Sequence, residues 1–326
     1  MPADHLITAS RTPAPVELAA AVLVVLAGGD PVTVAAQHDL DWNDFEDAVR
    51  TYQAAGLAAL ERRNEDSWYQ VRVQFADWST AEAVGATALG PALDRLRAVG
   101  AVAGWWFLRK HPCWRLRLFH ADTAAIGRAL DELTSTGAIE RWWTTVYEPE
   151  TAAFGDIAGM DTVHDLFCAD SAGVLDYLRQ DTPGLGRREL SVLLLGGLLR
   201  AAGLDTFECG DVFDRVARMR PAPAATDMAR VGPLADNVRV LLSIPNLADS
   251  ELFTPGGPVA HAAPWLAGLR AAGEQLGHDA ANGRLNRGLR AILTHVVIFH
   301  WNRLGLSATS QGLLAHAALT ALLPRS

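Results

Sequence analysis

The sequence predicts an α+β protein. It consists of a ferredoxin-like β-α-β-β-α-β sheet region, preceded by an N-terminal three-helix unit of helix-turn-helix type and followed by a helical C-terminal half. Three observations carry this reading. Residues 68–75 and 113–119 alternate apolar and polar side chains with the period of two that marks half-buried strands. Breaks at Gly28-Gly29-Asp30-Pro31, Pro183-Gly184 and Pro255-Gly256-Gly257-Pro258 divide long apolar stretches of helical character. Seven of the ten tryptophans fall between Trp68 and Trp143, which sets that stretch apart as a core or an open peptide-binding face. The expected divisions are residues 1–65, the helical unit, and 66–326, with a sheet part over 66–155 and a helical part over 156–326.

In the first segment, Val16–Ala27 is an apolar helix that stops at the double glycine, and Val32–His38 is a second short helix. Asp41-Trp42-Asn43-Asp44 caps a third over Phe45–Leu60, with acidic residues in its first turn. Such a unit suggests DNA binding. However, the third helix offers only Arg50 as a cation in its body, so packing or peptide docking fits better. In the second segment, strands are expected over Trp68–Phe75, Ala101–Arg109, Cys113–Phe119 and Ala138–Tyr147, with a turn at His111-Pro112. Helices are expected over Ser79–Val99, broken near Gly90-Pro91, and over Asp122–Thr136. In the third segment, helices are expected over Met160–Arg179, Arg187–Ala202, Asp211–Arg218, Pro233–Leu242, Ala263–Leu276, Arg287–Asn302 and Gln311–Leu323.

Bulk properties narrow the functions. The chain has 326 residues, half of them hydrophobic, with a net charge of −9. An acidic chain gains little from counterion release, which argues against nucleic acid as a partner. Cys113, Cys168 and Cys209 are widely spaced and form no CxxC pair, so buried thiols in a reducing cytoplasm are expected rather than zinc or disulfides. Met1–Pro15 lacks the features of a signal peptide, and the apolar run Leu18–Gly28 is far short of the ~20 residues that span a bilayer. A membrane is therefore not expected as a partner. Walker, dinucleotide-binding and kinase motifs are absent.

Four groups of residues can carry chemistry. Arg115 and Arg117, two apart on a strand, project to one side and form a fork for a carboxylate or phosphate, with Arg109-Lys110-His111 adding charge before them. They are equally suited to pairing with Glu148 and Glu150 across the sheet. Glu150, after Tyr147-Glu148-Pro149, can serve as a general base or as an ion-pair anchor. His164-Asp165 followed by Asp170-Ser171 invites a serine-hydrolase reading, but no Gly-x-Ser-x-Gly elbow surrounds Ser171. His295, His300, Asn302 and Arg303 lie on one largely apolar helix, with His295 and Asn302 on a shared face. Buried polar rows of this kind must be hydrogen-bonded and often line a site. Without HExxH spacing, zinc is not indicated.

Taken together, these motifs resemble the thiopeptide-type bacteriocin biosynthesis domain. The resemblance rests on Trp105-Trp106-Phe107-Leu108-Arg109-Lys110 with Trp114-Arg115-Leu116-Arg117, on Tyr147–Glu150 leading to Phe154-Gly155, on Leu166-Phe167 with Asp170-Ser171, and on Asn302-Arg303-Leu304. It runs in order from about Trp68 to Leu306. That domain forms the C-terminal part of lantibiotic dehydratases and also occurs free-standing. The resemblance implies one of two activities. One is removal of glutamate from glutamylated Ser or Thr, giving a dehydroamino acid. The other is the aza-[4+2] cyclisation of two dehydroalanines to a pyridine. It also leaves room for a non-catalytic subunit that binds leader peptide or dehydratase. Neither activity needs a metal or organic cofactor. The implied partners are a precursor peptide, leader and core, and a separate glutamyl-transferring dehydratase component; a homodimer stays open.

Carried over residue by residue, Arg109, Arg115, Arg117, Asn302 and Arg303 would bind substrate, while Glu150 with His295 or His300 would act in catalysis. Eliminating members carry an arginine three residues after the glutamate, where this chain has Ala153.

Overall fold

The computed structural model describes residues 15–65 and 67–323. The expectation for Met1–Pro15 therefore lies, except for Pro15, outside the described residues. The chain divides at Asp66/Ser67 into two compact units.

The first unit holds α1 (Pro15–Leu26), α2 (Pro31–Gln37) and α3 (Trp42–Glu65). Asp30 caps α2 by accepting from the Thr33 amide at 2.9 Å. Asp41 accepts from the amides of Asn43 and Asp44 at the head of α3. Ala21, Val22, Val34, Ala35 and Phe45 form a small core. The third helix begins three residues before the expected Phe45 and continues to Glu65, because the Asp41 cap sits upstream of Trp42.

The second unit is mostly helical around a four-stranded antiparallel sheet. Its strands are β1 (Trp68–Gln74), β2 (Gly104–Lys110), β3 (Cys113–Phe119) and β4 (Arg141–Thr145), in the order β2-β3-β1-β4. Between β1 and β2 run α4 (Ala81–Val84) and α5 (Gly90–Ala98), joined by a π turn over Gly85–Leu89. The helix expected over Ser79–Val99 is thus broken earlier than Gly90. Pro91 has no N–H to extend the α ladder, and the Gly90 amide reaches back to the Gly85 carbonyl instead. α6 (Thr123–Ser135) links β3 to β4. Then follow α7 (Thr151–Phe154), α8 (Asp156–Leu178), α9 (Arg187–Ala201), α10 (Thr206–Arg218), α11 (Ala225–Leu242), α12 (Ala263–Ala281), α13 (Leu289–Arg303) and α14 (Ala308–Leu322).

Four helices of the helical part start earlier than their sequence suggested, among them α14 at Ala308, where the Ser307 side chain accepts from the Ser310 amide. α8 begins at Asp156 because Gly155, at φ 87°, ends α7 in the left-handed region and the chain re-enters a helix at once. α10 begins at Thr206, where Asp205 and Glu208 form a capping box. α11 runs through Pro233 rather than starting there. Ala229, whose carbonyl loses its donor, is solvent-exposed, where water can pair it.

The sheet has two unlike faces. Val71, Val73, Trp105, Phe107, Trp114, Leu116 and Leu118 point to one side and are buried in the main core. Each such side chain contributes roughly 1.5–3 kcal/mol on burial. The other side carries Gln70 and Arg72 on β1, Trp106 on β2, Arg115 and Arg117 on β3 and Thr145 on β4. It faces α8, where Trp106 packs on Phe167 at 4.8 Å and Trp68 on His164 at 4.4 Å. β2 is an edge strand whose Phe107 amide donates to Ser171 Oγ at 3.1 Å, joining the sheet to α8. None of the described helices is long and apolar enough to cross a membrane.

Candidate active site

The polar sheet face builds the first part of the site. Register places Arg117 opposite both Gln70 and Trp106. Arg117 Nε donates to Gln70 Oε1 at 2.9 Å, and its guanidinium lies 4.0 Å from the Trp106 ring centre and 4.7 Å from that of Tyr147. Arg117 is only 2% exposed, and its NH1 has no partner. Burial pushes its pKa down to about 10; Tyr147 and Glu150 act in the opposite sense, and Arg115 and Arg303 add to the fall. A buried cation whose direct hydrogen-bond partner is a neutral amide is under-compensated, because the desolvation of such an ion costs several kcal/mol.

Tyr147 Oη is 2.8 Å from His164 Nε2. Burial first, then Arg117, lowers the His164 pKa to about 3, so its imidazole is neutral where it shares this hydrogen bond with the phenol. The Tyr147 phenol is shifted upward by burial, and so stays protonated. Glu150 leads into α7 and leaves Oε2 buried without a partner.

The second part comes from α8 and α13. Asp170 is completely buried. It accepts from His300 Nδ1 at 2.7 Å, Trp265 Nε1 at 2.9 Å and Arg303 Nε at 2.6 Å. Burial would raise the Asp170 pKa, but His300 and Arg303 outweigh it, and the carboxyl is held below its usual range. Arg303 lies over Phe167 at 4.2 Å, with NH1 and NH2 buried and unpartnered. Arg117 and Arg303 thus ride on two rings, Trp106 and Phe167, that touch each other. Each buried N–H left unmade costs about 1–3 kcal/mol, which an arriving acceptor would recover.

A third cluster gathers at α7. Arg287 donates to the Ala152 carbonyl and approaches His295 Nε2, both at 3.2 Å. Burial, then Arg287 and Arg220, lower the His295 pKa and favour the free base. The His295 ring meets Phe154 at 6.2 Å.

The structure therefore brings Arg117, Arg303 and Glu150 into one neighbourhood, with Arg115 at its half-buried rim. His295 lies beside Arg287 and reaches this neighbourhood through Phe154, whose ring meets Phe167 at 5.5 Å. Both ring nitrogens of His300 are already engaged, by Asp170 and Ser191. Asn302 Oδ1 accepts from Gln311 Nε2 at 2.9 Å, toward α14. Arg109 points to the opposite sheet face, where it pairs with Glu82 and lies 5.0 Å from the Trp114 ring centre. Its distance from Arg117 follows from strand parity: Leu108, not Arg109, faces Arg115. The alternative pairing of the arginines with Glu148 is not found, and Glu148 is exposed. Gln70, Ser191 and Arg287 were not singled out from the sequence; Tyr147, His164 and Asp170 stood in its motifs but were not assigned to the site. Only the buried Asp170-Ser171 pair on an apolar helix gave a local hint.

A largely helical α+β fold with a cationic, aromatic-walled sheet face defines a class. The chain belongs to the lantibiotic biosynthesis dehydratase C-terminal family, whose profile matches residues 68–322. Three solved structures are similar to it. TsrL is 18% identical with a TM-score of 0.58, over 79% of this chain and 99% of its own. TbtD, the pyridine synthase from thiomuracin biosynthesis, is 15% identical with a TM-score of 0.51, over 78% and 97%. MibB, the tRNA-dependent lantibiotic dehydratase from Microbispora sp. 107891, is 18% identical with a TM-score of 0.50, over 77% of this chain and 28% of its own. The chain spans little more than a quarter of that dehydratase, and at these identities the likeness is one of fold. No curated protein matches the chain.

Proposed function

We propose that this chain matures a ribosomally made precursor peptide by eliminating glutamate from glutamylated Ser or Thr. The observation that carries the reading is the pair Arg117 and Arg303, two buried cations with unpartnered N–H groups and one fully buried carboxylate, Asp170, near them. Such a pair suits the carboxylate of a departing glutamate. In the elimination a base takes the α-proton of the modified residue, the electrons form the Cα=Cβ bond, and the ester C–O bond breaks to release glutamate. His295, kept neutral by burial and Arg287, and Glu150 are the bases this structure offers. Arg287, donating to the Ala152 carbonyl, supplies a cation beside Ala153.

The precursor peptide is the substrate, and a separate glutamyl-transferring component supplies its ester. The β-α-β-β-α-β succession and strand order support a ferredoxin-like reading of the sheet part. Residues 15–65, outside the family match, are read as a docking unit rather than a DNA reader.

A second reading, pyridine formation, is favoured by the near-complete coverage of TbtD and by Ala153. Mass spectrometry of a glutamylated precursor incubated with the protein separates the readings. Loss of glutamate with a new dehydroamino acid supports elimination. A ring product with loss of the leader, from a dehydroalanine-bearing peptide, supports the cyclase. No change in either substrate sinks both and leaves a binding role.

A further inference from the structure

Asp170, His300 and Ser191 are bonded in the same order as the acid, base and hydroxyl of a hydrolytic triad. His300 Nδ1 meets Asp170 Oδ1 at 2.7 Å, and His300 Nε2 meets Ser191 Oγ at 2.9 Å. The hydroxyl is badly placed for a nucleophile: Ser191 is 0% exposed, and its oxygen already accepts from Trp301 Nε1 at 2.8 Å. The group's useful end is the other one.

Asp170 Oδ2 takes Arg303 through Nε alone, at 2.6 Å. A buried carboxylate and guanidinium commonly pair as two parallel forks. Here Oδ1 is occupied by His300 and by Trp265 Nε1, so the carboxylate is held from turning to receive a second Arg303 nitrogen. Phe167, 4.2 Å beneath, fixes the guanidinium plane. The result is a guanidinium gripped by its stem, with both terminal nitrogens buried and unpartnered.

We propose that Asp170 is a positioning residue, braced by His300 and Ser191, that grips Arg303 by Nε so that both terminal nitrogens are presented to a bound carboxylate. This rests on reading the site as one for the glutamyl carboxylate. Asp170 touches no substrate; it acts through Arg303.

A double-mutant cycle on the full chain tests it, with L-glutamate, the leaving group, as the probe in calorimetric titration. Arg303→Lys keeps the charge but loses the fork, and Asp170→Asn keeps the shape but loses the grip. Each is expected to weaken glutamate binding about tenfold, and the double variant to bind no worse than Arg303→Lys alone, since coupled residues give non-additive effects. Ser191→Ala is the milder variant: it should fold and show a smaller loss, restored by Ser191→Thr. If Asp170→Asn does not fold, the same cycle is run with Ser191→Ala. Wild-type binding with losses that multiply in the double variant overturns the positioning role and leaves the site reading intact. A wild type that binds no L-glutamate overturns both.

Discussion

Arg117 Nε donates to Gln70 Oε1 at 2.9 Å, and the Gln70 amide nitrogen is in turn bound to Thr145 Oγ1 at 2.8 Å and the Val146 carbonyl at 2.7 Å. Three strands thus fix one guanidinium. Gln70→Leu would leave the Arg117 donor and the Val146 carbonyl without Gln70. We expect it to cost about 1–3 kcal/mol of stability, read from urea unfolding, and to raise KM for the glutamylated peptide. Unchanged stability and KM together would refute this account of Gln70.

Arg117→Lys keeps a cation but loses the planar fork and its stacking on Trp106 and Tyr147. Elimination should slow by roughly 10²-fold, the scale for one lost charge-stabilising donor. Steady-state kinetics on the glutamylated precursor gives the answer, and a variant within threefold of wild type, roughly half a decade, speaks against Arg117 as part of the site.

His164 stays unprotonated in the folded protein until about pH 3, whereas an unfolded chain protonates its histidines near pH 6.5. Between these values the unfolded chain binds more protons, so stability falls on acidification by up to about 1.4 kcal/mol per pH unit. The depressed Asp170 adds stability that is present above the ordinary carboxylate pKa and lost as pH falls through its folded value, so it acts mainly below about pH 4. His164→Gln should therefore flatten the slope between pH 4.5 and 6. An identical slope in wild type and variant would count against a neutral buried His164.

Arg287 lies 3.2 Å from His295 Nε2 and helps hold that imidazole below its normal pKa. Arg287→Leu removes a cation, so the His295 pKa should move up. An NMR titration of the ring protons reads the shift, and a fall or no movement contradicts the pairing.

Gly159 opens no room for a side chain: a Cβ there would lie 1.9 Å from the Phe154 carbonyl oxygen. Gly159→Ala must push α7 off α8, at a cost on the scale of overpacking, about 1–3 kcal/mol. Since α7 follows directly on Glu150, activity should fall with it. A melting temperature equal to wild type would show that α7 yields freely.

What the sequence made legible follows physical range. The shared face of Arg115 and Arg117 is a local consequence of strand period. Arg109 was misplaced among them because its face depends on the register of the hairpin through His111-Pro112, which sequence adjacency does not give. Asp170 and Arg303 are 133 residues apart, and no spacing rule reaches across that interval. Tyr147, two residues past the end of β4, and His164, on α8, are 17 residues apart and meet only through the fold. The start of α10 was readable, since Asp205 and Glu208 stand at capping-box spacing.

Arg117 stands on β3, an inner strand, while Arg303 stands on α13, and the rings of Trp106 and Phe167 lie between their supports. Their spacing is then set by neither element alone but by the thickness of the aromatic layer, in which Phe167 stacks on Phe299 at 5.1 Å. A trimmed ring there would change the bite of the two cations without touching either. Selectivity for the length of an acidic leaving group would drift through the oily interior, out of sight of any comparison restricted to polar residues.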